Sequence, residues 1–287
     1  MRVRRCMVKT RDGSSEEVME ARAHARSAPE IGVGRRMVRP GDRRRVSRPR
    51  RRPLAPGRAP EYAAGVRILC ISDIHGNADA LAAVLATSER RGYTHLLVAG
   101  DLCFPGPQPL ETWRRLTQAG AVCVQGVGDR ALSTLDLGKV HPRSDHEKAR
   151  LDRLAEVRTE LGDLILARLA RLPVTYRLPL DDGGELVLVH GSPADPLEPF
   201  SHDMSDDELS ALVGDDPADL VICGGSHVPF DRTVSGVRII NVGSVGEAPT
   251  GGLSSAHADA TLLEVIKGKE GYEIVVEQLV VPLGKAA

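Results

Sequence analysis

A carboxylate and an imidazole, two residues apart, follow a short apolar run in this chain. Residues 69–71 are typical of a buried strand, and Asp73 and His75 come directly after it, before Gly76. One loop can direct both side chains at the same point. Carboxylate and imidazole groups together suit a divalent metal ion. A single pair of this kind is a weak signal, and its weight comes from similar residues downstream.

The same residue types recur where later apolar runs end. They are Asp101, Asp129, His190 and His227, and each lies beside or just after a glycine. In α/β sheets the carboxyl ends of the strands form the ligand-binding edge, so we expect these side chains to converge. Asp and His at one edge predict a site for Mn²⁺, Fe²⁺ or Zn²⁺. Asp101 could bridge two ions, and two ions roughly 3.5–4 Å apart can activate water for phosphoryl transfer.

Alternating strands and helices are expected to position these residues. The pattern predicts strands at 66–72, 95–100, 121–125, 174–180, 185–190, 220–223, 231–235, 237–241, 260–267 and 272–281. Helices are predicted at 78–91 and 110–119, between the first three strands. Short strand–helix–strand units imply a parallel sheet. Residues 181–184 have the composition of a hairpin turn.

Two further helical regions carry no motif. Residues 143–171 are charged and periodic, so we expect one or two covering helices within a cap-like segment at 130–171. Ser205 and Glu208 form a capping box that predicts a short helix after residue 205. Segments 130–171 and 191–210 are where substrate specificity would reside, and neither indicates a substrate.

The charge of the chain is divided between two parts. Residues 1–65 hold 18 of the 38 basic and 7 of the 39 acidic residues, which leaves 20 and 32 for residues 66–287. The first part lacks apolar periodicity and is rich in Arg and Pro, so we predict a disordered extension before a folded domain at 66–287. The acidic domain argues against a broad nucleic-acid-binding face, and only the extension could bind nucleic acid.

Targeting signals and cysteine usage give a coarse expectation for location. No apolar segment follows the basic start as in a secretory signal, and no run approaches the roughly 20 apolar residues of a membrane span. The five cysteines form no Cys-x-x-Cys pair, and Cys70, Cys123 and Cys223 lie inside apolar runs. They are typical of small core residues in a reducing compartment, so we expect a cytoplasmic protein.

In order, the polar residues resemble the motif series of the calcineurin-like metallophosphoesterases. The series reads Asp73-x-His75, Gly100-Asp101, Gly126-x-x-Asp129, His190-Gly191, Gly224-x-x-His227 and Asn241-x-Gly243-Ser244. The segments 106–111, 190–193 and 243–246 are similar to the small bacterial and archaeal phosphodiesterase branch. The resemblance covers about residues 66–281. It implies a four-layer α/β/β/α sandwich with mixed sheets and a two-metal site that hydrolyses phosphomonoesters or phosphodiesters by metal-activated water.

The resemblance also implies a ligand set, residue by residue. The first ion would be held by Asp73, His75, Asp101 and His227, and the second by Asp101, His190, an Asn and a further His. Val127 stands where the family has that Asn, and Gly225 where it has that His. Gly128 stands where many members have a His beside the leaving group. We therefore expect one firmly bound ion and a second that is weak or absent, with Asp101, His190 and Asp129 as catalytic residues.

Other side chains could replace the missing donors. Ser192, Ser226 and Asp129 are possible second-site ligands, and His202 and His257 lie in predicted loops, where a surface position is the simpler expectation. The resemblance then predicts a metal-dependent phosphoesterase of reduced activity on a small-molecule or nucleotide substrate. The alternative is a non-catalytic binding or regulatory protein on the same fold. The sequence leaves the substrate and the oligomeric state open.

Overall fold

A computed structural model describes residues 5–9, 15–19, 66–180, 184–249, 256–267 and 272–284 of the chain. The chain divides into two units, Met1–Gly57 and Arg58–Ala287. In the first unit, strands β1 (Arg5–Lys9) and β2 (Ser15–Met19) pair antiparallel. The remainder of the extension predicted to be disordered lies outside the described residues, and the division at residues 65 and 66 stays a prediction.

The second unit contains two sheets of five strands. Its strands are β3 (Val66–Ile71), β4 (His95–Val98), β5 (Val122–Cys123), β6 (Thr175–Pro179), β7 (Glu185–Val189), β8 (Leu220–Cys223), β9 (Phe230–Val234), β10 (Val237–Asn241), β11 (His257–Lys267) and β12 (Tyr272–Pro282). One sheet has the order β12-β11-β3-β4-β5, and the other has the order β6-β7-β8-β10-β9. In each sheet three neighbouring strands pair parallel, and each of the other two strands pairs antiparallel with its neighbours. Both sheets are therefore mixed.

Five α-helices accompany the sheets in the described residues. They are α1 (Ala78–Glu89), α2 (Pro109–Gln118), α3 (Val127–Thr134), α4 (Asp145–Leu169) and α5 (Asp206–Val213), and a short 3₁₀ turn spans Leu137–Lys139. Ser205 and Glu208 form the predicted capping box of α5. The hairpin from β6 to β7 is also confirmed, although residues 181–183 of its turn lie outside the described residues.

Helix α3 was missed because Gly126-Val127-Gly128 has the composition of a loop. Asp129, the third residue of the helix, accepts a hydrogen bond of 3.0 Å from the N–H of Gly126. A carboxylate in the first turn satisfies a backbone N–H that has no partner within the helix. This side chain therefore stabilises the start of a helix whose glycines alone would not favour one.

Apolar residues fill three layers between the elements. Leu69, Ile71 and Val98 lie on the outer face of the first sheet, against α1, α2 and α4. Between the sheets, Cys70 and Leu97 pack against Leu188 and Ile222. Apolar residues on the other face of the second sheet pack against α5. The result is the four-layer α/β/β/α arrangement that the resemblance implied.

The cap-like segment is mostly one long helix with an interruption. Helix α4 bends at Gly162, whose φ of 73° is in the left-handed region. The helix packs against α2 and α3 through Leu154, Val157 and Leu161. Among the residues that the structure describes, no helix combines the length and the apolar character needed to cross a membrane.

Replacing Leu188 by Ala should lower the free energy of unfolding by about 2–5 kcal/mol, because it leaves a cavity between the sheets. The side chain of Leu188 is fully buried. Urea unfolding measures the change. Leu164→Ala is the matched control, since Leu164 is 71% exposed and its loss should change stability by less than about 0.5 kcal/mol. Equal effects of the two substitutions would contradict the placement of Leu188 in the core between the two sheets.

Candidate metal centre

The predicted ligands come together at one edge of the two sheets. Asp73 and His75 follow β3, Asp101 follows β4, His190 follows β7 and His227 follows β8. In each sheet the strands concerned are parallel neighbours, so their carboxyl ends lie side by side. The N–H of Gly225 donates to Asp73 Oδ2 at 2.8 Å, which ties the edges of the two sheets together. The convergence that the sequence predicted is therefore seen in the structure.

Two imidazoles and a carboxylate meet at the first group, which we define as Asp73, His75 and His227. The two Nε2 atoms are 3.1 Å apart, and Asp73 Oδ1 lies 3.2 Å from His227 Nε2 and 3.6 Å from His75 Nε2. Such separations suit ligands around one ion with bonds of about 2.0–2.2 Å. Asp73 Oδ1 is buried and has no hydrogen bond of acceptable geometry from the described residues. The donor set and the unsatisfied oxygen both fit a divalent cation.

A second group shares Asp73 and adds Asp101 and His190. Their ligand atoms all lie within 4.8 Å of one another. His190 Nε2 is 3.8 Å from Asp101 Oδ2, whereas Asp101 Oδ1 accepts a 2.7 Å hydrogen bond from the N–H of Gly128. The residue common to both groups is thus Asp73. That Asp101 also binds the first ion stays a prediction.

Backbone carbonyls orient two of the three histidines. His75 Nδ1 donates to the carbonyl of Phe104 at 2.6 Å, and His190 Nδ1 donates to the carbonyl of Ala99 at 2.7 Å. Because a carbonyl oxygen can only accept, the proton of each neutral ring is on Nδ1. The lone pair is then on Nε2, which faces the other ligands. Hydrogen bonds of this kind are the usual means of fixing a metal-binding imidazole.

Four of the candidate ligands have an unusual backbone conformation. The φ angles of Asp73, His75, Asp101 and His227 are 54°, 51°, 51° and 62°. Residues other than glycine seldom adopt this left-handed region, and each instance costs of the order of 1–3 kcal/mol. Hydrogen bonds from Asp73 N to Gly100 O and from His75 N to Asp101 O hold the two loops together. Strain concentrated in the ligand loops indicates a functional site.

The charges of the site influence one another. Burial raises the pKa of Asp73, but His227 and His190 outweigh burial and hold that pKa below its ordinary value. The Asp73 carboxylate, whose Oδ1 lies 3.2 Å from His227 Nε2, raises the pKa of His227. Burial lowers the pKa of His190, but Asp101 and Asp73 outweigh burial and raise it overall. Each of these carboxylates therefore favours the protonated form of the histidine beside it, and His227 and His190 favour the ionised form of Asp73.

Asp129 makes structural contacts in this structure. It is fully buried, and its two oxygens accept hydrogen bonds from the N–H groups of Leu102 and Gly126, both at 3.0 Å. Burial, with Asp101 nearby, raises the pKa of Asp129 to about 7. These contacts join the loop after β4 to the start of α3. The catalytic role predicted for Asp129 stays a prediction.

At the two positions where the resemblance implied second-site ligands, the structure places residues whose side chains cannot bind a metal ion. Val127 begins α3 and is 46% exposed, so an apolar side chain stands where the family has an amide. Gly225 has a φ of 77°, and a Cβ atom there would lie 2.9 Å from Pro199 Cβ. Pro199 therefore takes space that a histidine at position 225 would need. The second group therefore lacks the two donors that the resemblance implied, and position 225 has little room for a side chain.

The side chains considered as replacements are engaged elsewhere. Ser192 Oγ donates to the carbonyl of Asp195, and Ser226 Oγ accepts from Asn241 Nδ2, both at 3.0 Å. His202 is exposed, as expected. The expectation of a surface position was wrong for His257, which is 9% exposed because it begins β11 and packs beside Asp259.

Sequence reasoning missed Glu247, which lies beside the first group. Its Oε2 is 3.7 Å from His75 Nε2 and 3.9 Å from His227 Nδ1. The residue directly follows the Gly243-Ser244-Val245-Gly246 segment. Its place next to a segment that reaches the site was the signal available in the sequence.

A second missed residue, Arg153, holds the loop that orients His75. From helix α4 its guanidinium donates to the carbonyls of Pro105 and Gly106, at 2.9 Å and 2.6 Å. The neighbouring Arg150 lies over the ring of Phe104, 5.3 Å from its centroid. The cap-like segment is thus anchored on the loop whose Phe104 carbonyl binds His75.

Comparisons with known proteins agree with this geometry. The calcineurin-like phosphoesterase superfamily domain matches residues 66–262. The chain is similar to a hypothetical protein from Pyrococcus horikoshii OT3, with 22% identity over 77% of this chain and 89% of that one, and a TM-score of 0.62. It is also similar to a metallophosphoesterase from Sphaerobacter thermophilus, with 24% identity over 75% and 88%, and a TM-score of 0.56. These two likenesses concern the fold. No curated protein matches the chain.

Arg153→Ala should lower the free energy of unfolding by about 1–3 kcal/mol, since two carbonyls lose a charged hydrogen-bond donor at a partly exposed position. Limited proteolysis should cut the 104–108 loop faster in this variant. Arg153→Lys is the control that keeps the charge but cannot bind both carbonyls in the same way. Wild-type stability and wild-type cleavage of the Ala variant would show that the contact does not hold the loop.

Gly225→His should destabilise the protein by about 1–3 kcal/mol, because it adds both backbone strain and the contact with Pro199. Thermal or urea unfolding measures the loss. Gly92→His isolates the strain, since Gly92 has a φ of 73° but a Cβ atom added there would meet no neighbouring atom within 4 Å. Adding Pro199→Gly to Gly225→His should recover the excess loss. Equal losses at positions 92 and 225 would show that Pro199 does not restrict the site.

Proposed function

Because the chain belongs to the calcineurin-like phosphoesterase superfamily, we propose that it is a metal-dependent hydrolase of phosphomonoesters or phosphodiesters. The observation that carries the proposal is the first group, in which the unpaired oxygen of Asp73 faces two imidazole nitrogens. A buried carboxylate without compensation is costly, so this arrangement favours a bound cation. Family membership then connects the cation with phosphoester hydrolysis.

The residues of the first group would hold the ion, with Asp101 and His190 next to it. Mn²⁺, Fe²⁺ and Zn²⁺ remain the candidate ions, because carboxylate and imidazole ligands suit all three. When bound, a divalent ion supplies positive charge to phosphoryl oxygens and lowers the pKa of a coordinated water. The fit rests on the donor set and on the unsatisfied oxygen described above.

The remaining roles belong to the residues of this chain. Asp73 balances the positive charge of the site, and its position is fixed by hydrogen bonds from Gly225 N to Oδ2 and from Ser244 Oγ to its carbonyl. His190 presents Nε2 to the site because Ala99 holds its Nδ1. That nitrogen can bind an ion, or, when protonated, donate to a phosphoryl oxygen. Asp101 Oδ2 lies 3.8 Å from this nitrogen, and its negative charge favours the protonated ring.

We propose reduced turnover relative to complete two-metal relatives. Val127 and Gly225 offer no donor side chain to the second group, and Pro199 restricts the space beside Gly225. Losing even a residue that supports a ligand weakens metal affinity roughly 10–100-fold, so losing two ligands leaves a weak second site. Gly128 stands where many family members have a histidine. If that histidine serves as a general acid, its absence here would lower the rate of hydrolysis by a further factor of about 10²–10⁴.

A non-catalytic binding protein is the second candidate function. The crowding at Gly225 favours it, because Pro199 takes space that the histidine implied by the family resemblance would need. In this case the intact first group would hold an ion that recognises a phosphate-bearing partner. We keep a small-molecule or nucleotide phosphoester as the proposed ligand and a cytoplasmic location as the proposed setting. Nucleic acid would be bound only through the Arg-rich residues before position 66.

Asp101→Asn should reduce hydrolysis of a chromogenic phosphodiester by at least about 100-fold, because the amide keeps the hydrogen bond from Gly128 but loses the charge. The assay uses metal-stripped protein titrated with Mn²⁺. Asp207→Asn is the control, since Asp207 is exposed on α5 and far along the chain from the ligands. An unchanged rate in the Asp101 variant would refute the assignment. No turnover by folded wild-type protein at any Mn²⁺ concentration would favour the binding function.

A further inference from the structure

The backbone of Glu247 is fixed beside the first group. The N–H of Gly246 donates to the carbonyl of Asp73 at 2.9 Å, and the N–H of Glu247 donates to Ser244 Oγ at 2.8 Å. A Cβ atom on Gly246 would lie 2.1 Å from the carbonyl oxygen of Ile74, so the two loops touch at this point. Only glycine permits that approach. The loop therefore delivers the next residue, Glu247, to the ligands on a rigid support.

The side chain of Glu247 is directed at both histidines. Its Oε2 lies 3.7 Å from His75 Nε2, which is a ligand atom, and 3.9 Å from His227 Nδ1. These two imidazoles are the ion-pair partners that the described residues offer to this carboxylate. The side chain is 46% exposed, so it is not enclosed by packing. To bind an ion held by the two Nε2 atoms, this oxygen would have to move closer to them by rotation of the side chain.

The first group also has room for another protein ligand. It contains three donors, whereas protein sites for Zn²⁺ commonly have four, and those for Mn²⁺ have six with water included. Asp101 lies with His190 in the second group, and one of its oxygens is already bound to Gly128. A second carboxylate would balance the charge of a divalent ion that is held by Asp73 and two neutral imidazoles. Besides Asp73, Glu247 is a carboxylate that lies near both histidines.

We propose that Glu247 is a further ligand of the ion held by Asp73, His75 and His227. The inference rests on the proposed function, since it takes the first group to be a metal site. The chain would then have one metal centre whose protein ligands are two carboxylates and two imidazoles.

The test is the affinity of metal-stripped protein for Co²⁺ and Mn²⁺, with the visible absorption of bound Co²⁺ as a report on its ligands. Glu247→Gln should weaken the affinity about tenfold or more and should change the Co²⁺ spectrum. Glu273→Gln is the control with the same change in charge, because Glu273 is an exposed residue of β12. It should bind Co²⁺ with the wild-type affinity and spectrum. Circular dichroism checks that both variants are folded.

Two results would overturn the inference. An affinity of the Glu247 variant within about twofold of wild type would show that this carboxylate does not contribute to binding. A weakened affinity with an unchanged Co²⁺ spectrum would place Glu247 as a hydrogen-bond partner of His227 Nδ1 and not as a ligand.

His227→Ala, measured alongside, separates this inference from the proposed function. It should lose Co²⁺ binding because it removes a central ligand of the first group. If His227→Ala binds Co²⁺ as wild type does, the proposed metal site itself is wrong. If His227→Ala loses the ion while Glu247→Gln keeps it, the metal site stands and only the role of Glu247 fails.

Discussion

The buried charge of Asp73 is the constraint on which the site depends. The side chain is fully buried, and its two oxygens have different surroundings. Oδ2 accepts from the N–H of Gly225, whereas Oδ1 faces His75 and His227 without a satisfactory hydrogen bond. Removing a carboxylate from water costs several kcal/mol unless positive charge compensates it. The histidines therefore supply that charge by holding either protons or a cation, and strained loops from both sheets keep them in place.

The rest of the site follows from which donors surround this carboxylate. The side of His75 and His227 retains its ligands and has Glu247 nearby, but the side of Asp101 and His190 is bordered by residues that cannot ligate. A side chain at position 225 would also collide with Pro199, so a donor there would require Pro199 to move. A site of this composition suits one well-held ion better than a matched pair. Reduced phosphoesterase activity and phosphate recognition are both consistent with such a centre.

Much of this arrangement could be predicted from the sequence, because strand periodicity and turn residues are local signals. Asp73, His75, His190 and His227 were found from their places after apolar runs, and the capping box at Ser205 from its spacing. Helix α3 was missed since its stability depends on the contacts of Asp129 rather than on composition. Glu247 was overlooked although it directly follows a motif segment, whereas Arg153 and Pro199 come close to the site or to its loops through tertiary contacts, of which their neighbours in sequence give little indication. His257 was misjudged for the same reason.

The number of ions bound per chain tests the account most directly. Isothermal titration of metal-stripped wild-type protein with Mn²⁺ gives the stoichiometry and the affinity of each site. A single tight site per chain, with any second ion bound at least about tenfold more weakly, is the predicted result. Two ions of equal affinity would show that the second group is intact despite Val127 and Gly225. Absence of tight binding would contradict the assignment of a metal to the buried carboxylate of Asp73.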